Sequence, residues 1–360
     1  MVAMFARVVF FILMLRLTSC ESVCFDTGGI KCFEITSPHR SRQIIGIGAA
    51  RTGSTQLAQL IRLAYPRGNV ASVSQTLGPQ ACCGSETSFF SSRFSKGLDF
   101  YDSLYAKDKL VDDLLFEKTP NYSGNPVAPY RAAILLGSTR GVSAVYTYRK
   151  DPFRALQSIF HHHYGIHAHT DMLSFVNAAV SEHSQYLQCR SRLLVDYFIL
   201  MPSADQDLEE AMLTLSLREA LYVEEGIDRK CKCGKSGKYV LDLFARGLKR
   251  WVHALGASNV RCLELGEVIA DPESSYLNLL TWIDGLKRRK NSSVGDGENT
   301  DERKQIVELF AASGHINTNT HNARIYLNDT TLANFYDIFR SQGQQIKNLC
   351  AKLSLVPDGK

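Results

Sequence analysis

A glycine-containing turn between an apolar run and a helical pattern constrains the fold of this chain more than any other feature. Residues 43–48 (QIIGIG) form a short apolar run that is typical of a buried strand. Residues 54–64 follow with apolar side chains at helical spacing. The turn between them, residues 48–55 (GAARTGST), therefore leads into a helix N-terminus, where backbone N–H groups and the helix dipole favour an anion.

The turn has the spacing of a phosphate-binding loop but not its lysine. A nucleoside-triphosphate loop reads G-x-x-x-x-G-K-[ST], with the Lys on the β- and γ-phosphates. Gly48 and Gly53 have that spacing, whereas Ser54 stands at the Lys position and Arg51 supplies a cation earlier. The string alone fits an anion cradle and an ordinary capped turn equally well.

Strand and helix patterns alternate along the rest of the chain. Residues 143–148 and 260–265 predict strands, and residues 152–163, 238–255 and 272–286 predict helices. Strands that alternate with helices predict an α/β fold with a P-loop-like parallel sheet flanked by helices.

Length and composition fit one globular domain. The 360 residues are 45% hydrophobic and 21% charged, which excludes a disordered or collagen-like chain. We predict a single domain over residues 40–355, with a helical insertion at about 170–235 and an exposed charged loop at about 287–304. The net charge of +5 is too small to indicate nucleic acid as a partner, but it suits a protein that binds anions.

The first twenty residues predict a targeting segment. Arg7 precedes the apolar run 8–15, and the small residues 18–20 offer a cleavage site. The run is shorter than the about 20 residues that span a bilayer. We therefore expect a signal peptide at residues 1–20, with a short membrane anchor or a bacterial lipoprotein signal as the alternatives.

Cysteines and sequons fit the secretory pathway, with the Golgi lumen or secretion as the expected destination. Ten cysteines suit an oxidising compartment and predict disulfides or free thiols. Cys231 and Cys233 have no second pair at zinc-ligand spacing, and the histidines within 161–169 lack an H-E-x-x-H pattern. Glycosylation triplets begin at Asn121, Asn291 and Asn328.

Several strings, in chain order, resemble the sulfotransferases that use 3′-phosphoadenosine 5′-phosphosulfate (PAPS), in particular the Golgi heparan-sulfate 3-O- and N-sulfotransferases. Residues 51–55 (RTGST) resemble the 5′-phosphosulfate loop, and residues 116–122 (FEKTPNY) resemble E-K-T-P-x-Y. Residues 84–101 resemble K-E-x-H-F-F…K-G-L-x-W-Y, and residues 148–158 resemble R-D-P-x-x-R…S. Residues 239–272 are similar to the later Y…L…W and G-E…DP pattern.

The resemblance implies the sulfotransferase fold and the transfer of a sulfuryl group from PAPS to a hydroxyl or amine of an acceptor. A carbohydrate is the expected acceptor, 3′-phosphoadenosine 5′-phosphate (PAP) the product, and no metal is expected. By position, Glu86 is the general base, and Arg51 and Lys118 flank the transferring group. The implied donor-binding residues are Arg51, Thr52, Gly53, Ser54, Thr55, Arg149, Lys150, Ser158 and Arg324.

The motifs also depart from the family pattern. Lys150 stands eight residues before Ser158, where the family has Arg, and Arg149 is one residue out of register. Both cations therefore remain candidates for the 3′-phosphate, although only Arg has the bidentate fork. Ser85 replaces a family Lys and residues 87–88 replace the pair that ends in His, so the expectation of heparan sulfate as the acceptor is weakened.

Two other functions compete with sulfuryl transfer. A nucleotide-dependent kinase would use the same loop, but Ser54 at the lysine position disfavours it. A non-catalytic member of the same fold would bind acidic glycans through its basic surface.

Overall fold

The computed structural model describes residues 22–26, 30–34, 42–65, 69–71, 86–105, 114–137, 141–162, 171–198, 208–288, 300–312 and 329–355. The predicted signal peptide, Ser85 and Arg324 lie outside these residues. In the part of the chain that is described, no helix combines the length and the apolar character needed to cross a bilayer.

A five-stranded parallel sheet forms the centre of the molecule, with the order β4-β5-β3-β6-β7. A separate antiparallel hairpin precedes it in the chain. The predicted α/β fold with a parallel sheet is confirmed. The strands are β1 (Ser22–Asp26), β2 (Ile30–Glu34), β3 (Arg42–Gly48), β4 (Asn69–Val70), β5 (Leu114–Lys118), β6 (Val142–Tyr148) and β7 (Val260–Glu264).

Helices flank the sheet on both faces. They are α1 (Ser54–Ala64), α2 (Leu98–Asp102), α3 (Ala128–Gly137), α4 (Pro152–His162), α5 (Met172–Phe198), α6 (Leu208–Met212), α7 (Leu217–Lys230), α8 (Lys235–Leu241), α9 (Ala245–Leu255), α10 (Leu265–Ala270), α11 (Pro272–Arg288), α12 (Thr300–Ala312) and α13 (Asp329–Ser354). A π-helical turn covers Phe89–Arg93, and 3₁₀ turns cover Phe94–Lys96, Pro120–Tyr122 and Ala257–Asn259.

The central strand β3 is apolar along its length because both faces of the sheet are covered. Ile44 packs into the core on one face of the sheet, and Ile45 and Ile47 pack into the core on the other face. Successive side chains of a strand point to opposite faces, so a strand covered on both faces needs an unbroken apolar run.

Two predicted segments differ from the structure. The predicted helix 238–255 is broken between α8 and α9, where the buried Asp242 carboxylate accepts hydrogen bonds from the Gly124 amide and the Ser123 hydroxyl. The loop predicted at 287–304 is too long at both ends, because α11 continues to Arg288 and α12 begins at Thr300. Val307 on the apolar side of α12 packs into the core. The predicted insertion interval 170–235 contains α5, α6 and α7.

Two disulfides join distant parts of the fold, as expected for the cysteine content. Cys189 pairs with Cys231, and Cys262 on β7 pairs with Cys350 on α13. Cys233 is a free thiol whose pKa burial raises to about 11. The described residues contain no group of three or more His, Cys, Asp or Glu side chains with a metal-binding arrangement.

A buried ionic cluster ties together four helices of the second half of the chain. Arg190 on α5 is 1% exposed and donates hydrogen bonds to Glu224 on α7 and Glu209 on α6. Arg250 on α9 lies 3.1 Å from the fully buried Glu224 carboxylate. Loss of one member leaves the opposite charge buried without compensation, which is strongly destabilising.

We expect Glu224→Gln to lower the free energy of unfolding by about 3–5 kcal/mol, because Arg190 and Arg250 lose the fully buried one of the two carboxylates that they share. Urea unfolding followed by circular dichroism measures the loss. Glu210→Gln is the control, because its pair with Lys249 is exposed and is worth less than about 1 kcal/mol. Equal losses in the two variants would contradict a stabilising role for the buried cluster.

Candidate active site

The parallel register brings the ends of three strands to one edge of the sheet. Gly46 pairs with Lys118 of β5, and Gly48 pairs with Thr147 of β6. Ligand sites of open α/β sheets lie beyond the carboxyl ends of the strands. The turn after β3 therefore lies between Lys118 and the segment that follows Tyr148.

Backbone conformation and close packing fix this turn. Gly48 has φ 140°, and a Cβ atom there would collide with the Thr147 carbonyl. Gly53 has φ 96° and precedes the first residue of α1. Arg51 has φ 66°, a left-handed conformation that is unfavourable for a non-glycine residue. The turn is therefore held in its shape by its surroundings.

The Thr52 hydroxyl is used inside the fold. It donates to the Ala49 carbonyl at 2.6 Å and lies 2.9 Å from the Thr147 hydroxyl. Thr52 is 2% exposed, so its side chain holds the turn together and does not line its open side. The resemblance implies Thr52 as a residue that binds the sulfate donor; in the structure its hydroxyl is engaged by Ala49 and Thr147.

The N-terminus of α1 faces the turn without a side-chain cap. Gly53 occupies the N-cap position and offers no side-chain acceptor. The first amides of a helix have no partner within the helix, and these begin at Ser54 and Thr55. Backbone N–H groups at a helix N-terminus favour an anion.

Two guanidinium groups flank the turn on the β6 side. Arg51 Nε donates to the Ser158 hydroxyl at 3.3 Å, and Arg149 Nε donates to the Arg51 carbonyl at 2.9 Å. Burial lowers the pKa of Arg149, and the neighbouring charges of Arg51 and Arg154 lower it further. The two cations are thus close enough to repel each other, an arrangement that a bound anion would relieve.

Lys150 occupies a different environment from Arg149. Its backbone amide donates to Glu264 at 2.9 Å, and its side chain is exposed. Glu264 also accepts the Glu267 amide at the start of α10, so it fixes the backbone of the segment after β6. Of the two sequence candidates, the structure attaches only the Arg149 side chain to the turn.

Lys118 joins the turn to Glu86. Its Nζ lies 2.6 Å from Glu86 Oε1 and 3.1 Å from the Thr55 hydroxyl. The Lys118 side chain is 2% exposed, whereas the Glu86 side chain is 28% exposed. A buried cation and a partly exposed carboxylate therefore meet beside the start of α1.

A buried carboxylate that is not among the residues selected from the sequence lies next to the segment of Glu86. Glu117 is fully buried and accepts hydrogen bonds from the hydroxyls of Thr87 and Tyr101. Burial raises its pKa to about 7, and the hydrogen bonds from these hydroxyls act in the opposite direction. The only sequence signal was its place in the FEKTPNY string, whose strand was not predicted.

The structure brings most of the candidate residues together and leaves a few apart. Arg324 and the histidines at 163, 167 and 169 lie outside the described residues. His161 is half-buried near the end of α4, where its ring contacts Phe160. The residues linked to the turn or to each other by side-chain contacts are Arg51, Thr55, Glu86, Lys118, Arg149 and Ser158.

Comparison with known proteins finds distant structural likenesses. No protein-family profile and no curated protein matches the sequence. A sulfotransferase from Alicyclobacillus acidocaldarius is 14% identical and has a TM-score of 0.41, with 87% of this chain and 96% of that chain covered. The sulfotransferase domain of the curacin biosynthetic pathway is 13% identical, with a TM-score of 0.35 and coverage of 83% and 98%.

The sulfotransferase domain of a Synechococcus olefin synthase is 10% identical, with a TM-score of 0.34 and coverage of 78% and 98%. Likenesses this distant do not decide a family or an activity.

We expect Gly53→Ala to lower the free energy of unfolding by about 1–2 kcal/mol, because φ 96° is costly for a residue with a Cβ atom. The new Cβ would lie 3.0 Å from Leu265, so the turn would also shift and lose affinity for anions. Thermal unfolding with and without inorganic pyrophosphate measures both effects.

The matched control is Gly256→Ala, which has φ 80° but nothing within 4 Å of the new Cβ. This variant should lose similar stability and keep the stabilisation by pyrophosphate. Equal pyrophosphate stabilisation in both variants would show that the turn after β3 is not an anion cradle.

Proposed function

We propose that this protein is a sulfotransferase that moves a sulfuryl group from PAPS to a hydroxyl or amine of a carbohydrate acceptor. The observation that carries the proposal is that Lys118 contacts both Glu86 and Thr55 at the uncapped N-terminus of α1, while Arg51 and Arg149 lie in and against the turn that leads into this helix. Three cations and free amides suit the phosphate and sulfate groups of the donor.

In this proposal PAPS supplies the sulfuryl group, whose sulfur forms a bond to the acceptor as its bond to the 5′-phosphate oxygen breaks. Transfer of this kind needs stabilisation of negative charge on the leaving oxygen and the equatorial oxygens. Arg51 and Lys118 would stabilise that charge from opposite sides of the turn. The amides at Ser54 and Thr55 would hold the 5′-phosphate.

Glu86 would accept the proton that the attacking hydroxyl or amine group loses. Its carboxylate is partly exposed, so an acceptor can reach it, and it lies against Lys118, which contacts the same end of the turn. A proton acceptor and a charge-stabilising cation would then stand side by side, which suits general base catalysis of an in-line transfer.

Arg149 and Ser158 would bind the 3′-phosphate of the donor. Arg51 contacts Ser158, and Arg149 is fixed on the Arg51 carbonyl, so both lie on the β6 side of the turn. The guanidinium group offers a bidentate fork to a phosphate, which an exposed Lys150 ammonium does not. We therefore assign the 3′-phosphate to Arg149.

The proposed compartment is the secretory pathway. The disulfides Cys189–Cys231 and Cys262–Cys350 support it, because such bonds persist in oxidising environments. The Golgi lumen is the destination that fits a carbohydrate acceptor.

Isothermal titration calorimetry with PAP, and with ATP as the control ligand, tests the donor site. We expect PAP to bind much more tightly than ATP. Arg149→Ala should weaken PAP binding by about 10- to 100-fold, the effect of removing a hydrogen bond to a charged group. Lys150→Ala is the matched control and should change the affinity by less than about threefold, as for an exposed surface charge.

Tighter binding of ATP, together with turnover of ATP and Mg²⁺, would favour a kinase. Binding of an acidic glycan that survives the loss of Arg51 and Glu86, without PAP binding, would favour a non-catalytic glycan-binding protein. Loss of PAP affinity in Lys150→Ala but not in Arg149→Ala would reverse the assignment of the 3′-phosphate.

The role of Glu86 has its own test. We expect Glu86→Gln to lower kcat by about 10²- to 10⁴-fold, the range for loss of a general base, with PAP affinity changed only a few-fold. A sulfate-transfer assay with a panel of glycans measures kcat. Asp99→Asn on α2 is the control, because this exposed carboxylate is not part of the site. Undiminished turnover in Glu86→Gln would remove Glu86 from the mechanism.

A further inference from the structure

We propose that Glu117 is a positioning residue for the reaction, because its buried carboxylate fixes the segment that carries Glu86. The inference rests on the proposed function, in which Glu86 is the general base. Glu117 and Lys118 are neighbours on β5, and they hold Glu86 and Thr87 from two sides.

Lys118 and Glu117 contact two consecutive residues of the segment that begins at Glu86. Lys118 Nζ contacts Glu86 at 2.6 Å, and Glu117 Oε2 accepts the hydroxyl of Thr87. Successive side chains of a strand point to opposite faces, so these two contacts approach the segment from different directions. The end of one strand thereby fixes two consecutive residues of the segment.

A chain of hydrogen bonds orients the other oxygen of the Glu117 carboxylate. Gln43 Nε2 donates to the Tyr105 hydroxyl, which donates to the Tyr101 hydroxyl, which donates to Glu117 Oε1 at 3.1 Å. A hydroxyl has one proton to donate, so each link of this chain points towards the carboxylate. Glu117 thus accepts a hydrogen bond at each of its two oxygens.

The backbone after Thr87 is fixed by residues that follow Glu117. The Ser88 amide donates to the Thr119 hydroxyl at 3.1 Å, and the Phe90 amide donates to the Tyr122 hydroxyl at 3.0 Å. Ser88 has φ 50°, which is unfavourable for a non-glycine residue and persists only where neighbours hold it. The position of Glu86 thus depends on the polar groups of residues 117–122.

Stability is a poor explanation for a carboxylate at this place. A fully buried carboxylate pays a desolvation penalty, and well-packed apolar replacements of buried charged groups are often neutral or stabilising. The carboxylate accepts a hydrogen bond from Thr87, the residue after the proposed base, so it can fix the position of Glu86. A misplacement of about 1 Å near reacting groups can lower a rate by about 100-fold.

The test uses Glu117→Gln in the full chain. This substitution keeps the size of the side chain but replaces one of the two accepting oxygens by an NH₂ group, which donates. We expect kcat for sulfate transfer to fall by about 10- to 100-fold, with PAP affinity unchanged, as for a displaced base. Amide hydrogen exchange in peptides covering Ser88–Phe90 should become faster, while exchange in α9 stays as in the wild type.

Thr87 provides a second pair of variants that does not depend on the folding of Glu117→Gln. Thr87→Val removes the hydroxyl and should reproduce the loss of kcat, whereas Thr87→Ser keeps the hydroxyl and should restore most of it. Retention of full kcat in Thr87→Val would overturn the inference.

Asp242→Asn is the matched control for the loss of a buried carboxylate. Asp242 is 3% exposed and accepts the Gly124 amide, but it makes no contact with the segment of Glu86. It should leave kcat close to that of the wild type, because its hydrogen bonds go to Ser123 and Gly124 and not to Glu86 or Thr87. Equal losses of kcat in Asp242→Asn and Glu117→Gln would assign the effect to folding alone.

The outcomes separate this inference from the proposed function. A wild-type protein that neither binds PAP nor transfers sulfate would overturn the proposed function, and the exchange of Ser88–Phe90 would still report whether Glu117 holds the segment. A wild-type protein that transfers sulfate, with Glu117→Gln equally active, would overturn the positioning role alone.

Discussion

The pairing of β3 between β5 and β6 is the constraint on which the rest of this structure depends. It requires an unbroken apolar strand, and it ends at Gly48, where a side chain would collide with Thr147. Because the three strands are parallel, their carboxyl ends meet at one edge. The turn after β3, the cation of β5 and the cation after β6 are neighbours for that reason alone.

Close packing at that edge also gives chemically similar side chains different positions and contacts. Thr52 packs against Thr147 inside the fold, so the open side of the turn is left to backbone amides and cations. The Arg149 side chain donates to the Arg51 carbonyl in the turn. The adjacent Lys150 side chain is exposed, and only the backbone amide of Lys150 donates to Glu264. Residues next to each other in the chain thus have different roles because they face different surroundings.

The buried polar network around Glu117 connects the core to the surface of the site. Its hydroxyl donors come from the segment of Glu86, from α2 and from the turn after β5. In a low-dielectric interior the hydrogen bonds of such a network strengthen one another. The segment that carries the partly exposed Glu86 is thereby tied to an interior carboxylate.

The amino-acid sequence by itself determined the α/β class and the strand and helix on either side of the turn at Gly48–Thr55, because periodicity and local turn chemistry are encoded in neighbouring residues. The sequence could not distinguish Arg149 from Lys150, because one residue of register on a strand end changes which side chain turns inward. It also gave no sign of the break at Asp242 or of the hydrogen bond from Thr87 to Glu117. Contacts between residues thirty or more positions apart exist only after the sheet has formed, and these the tertiary structure alone decided.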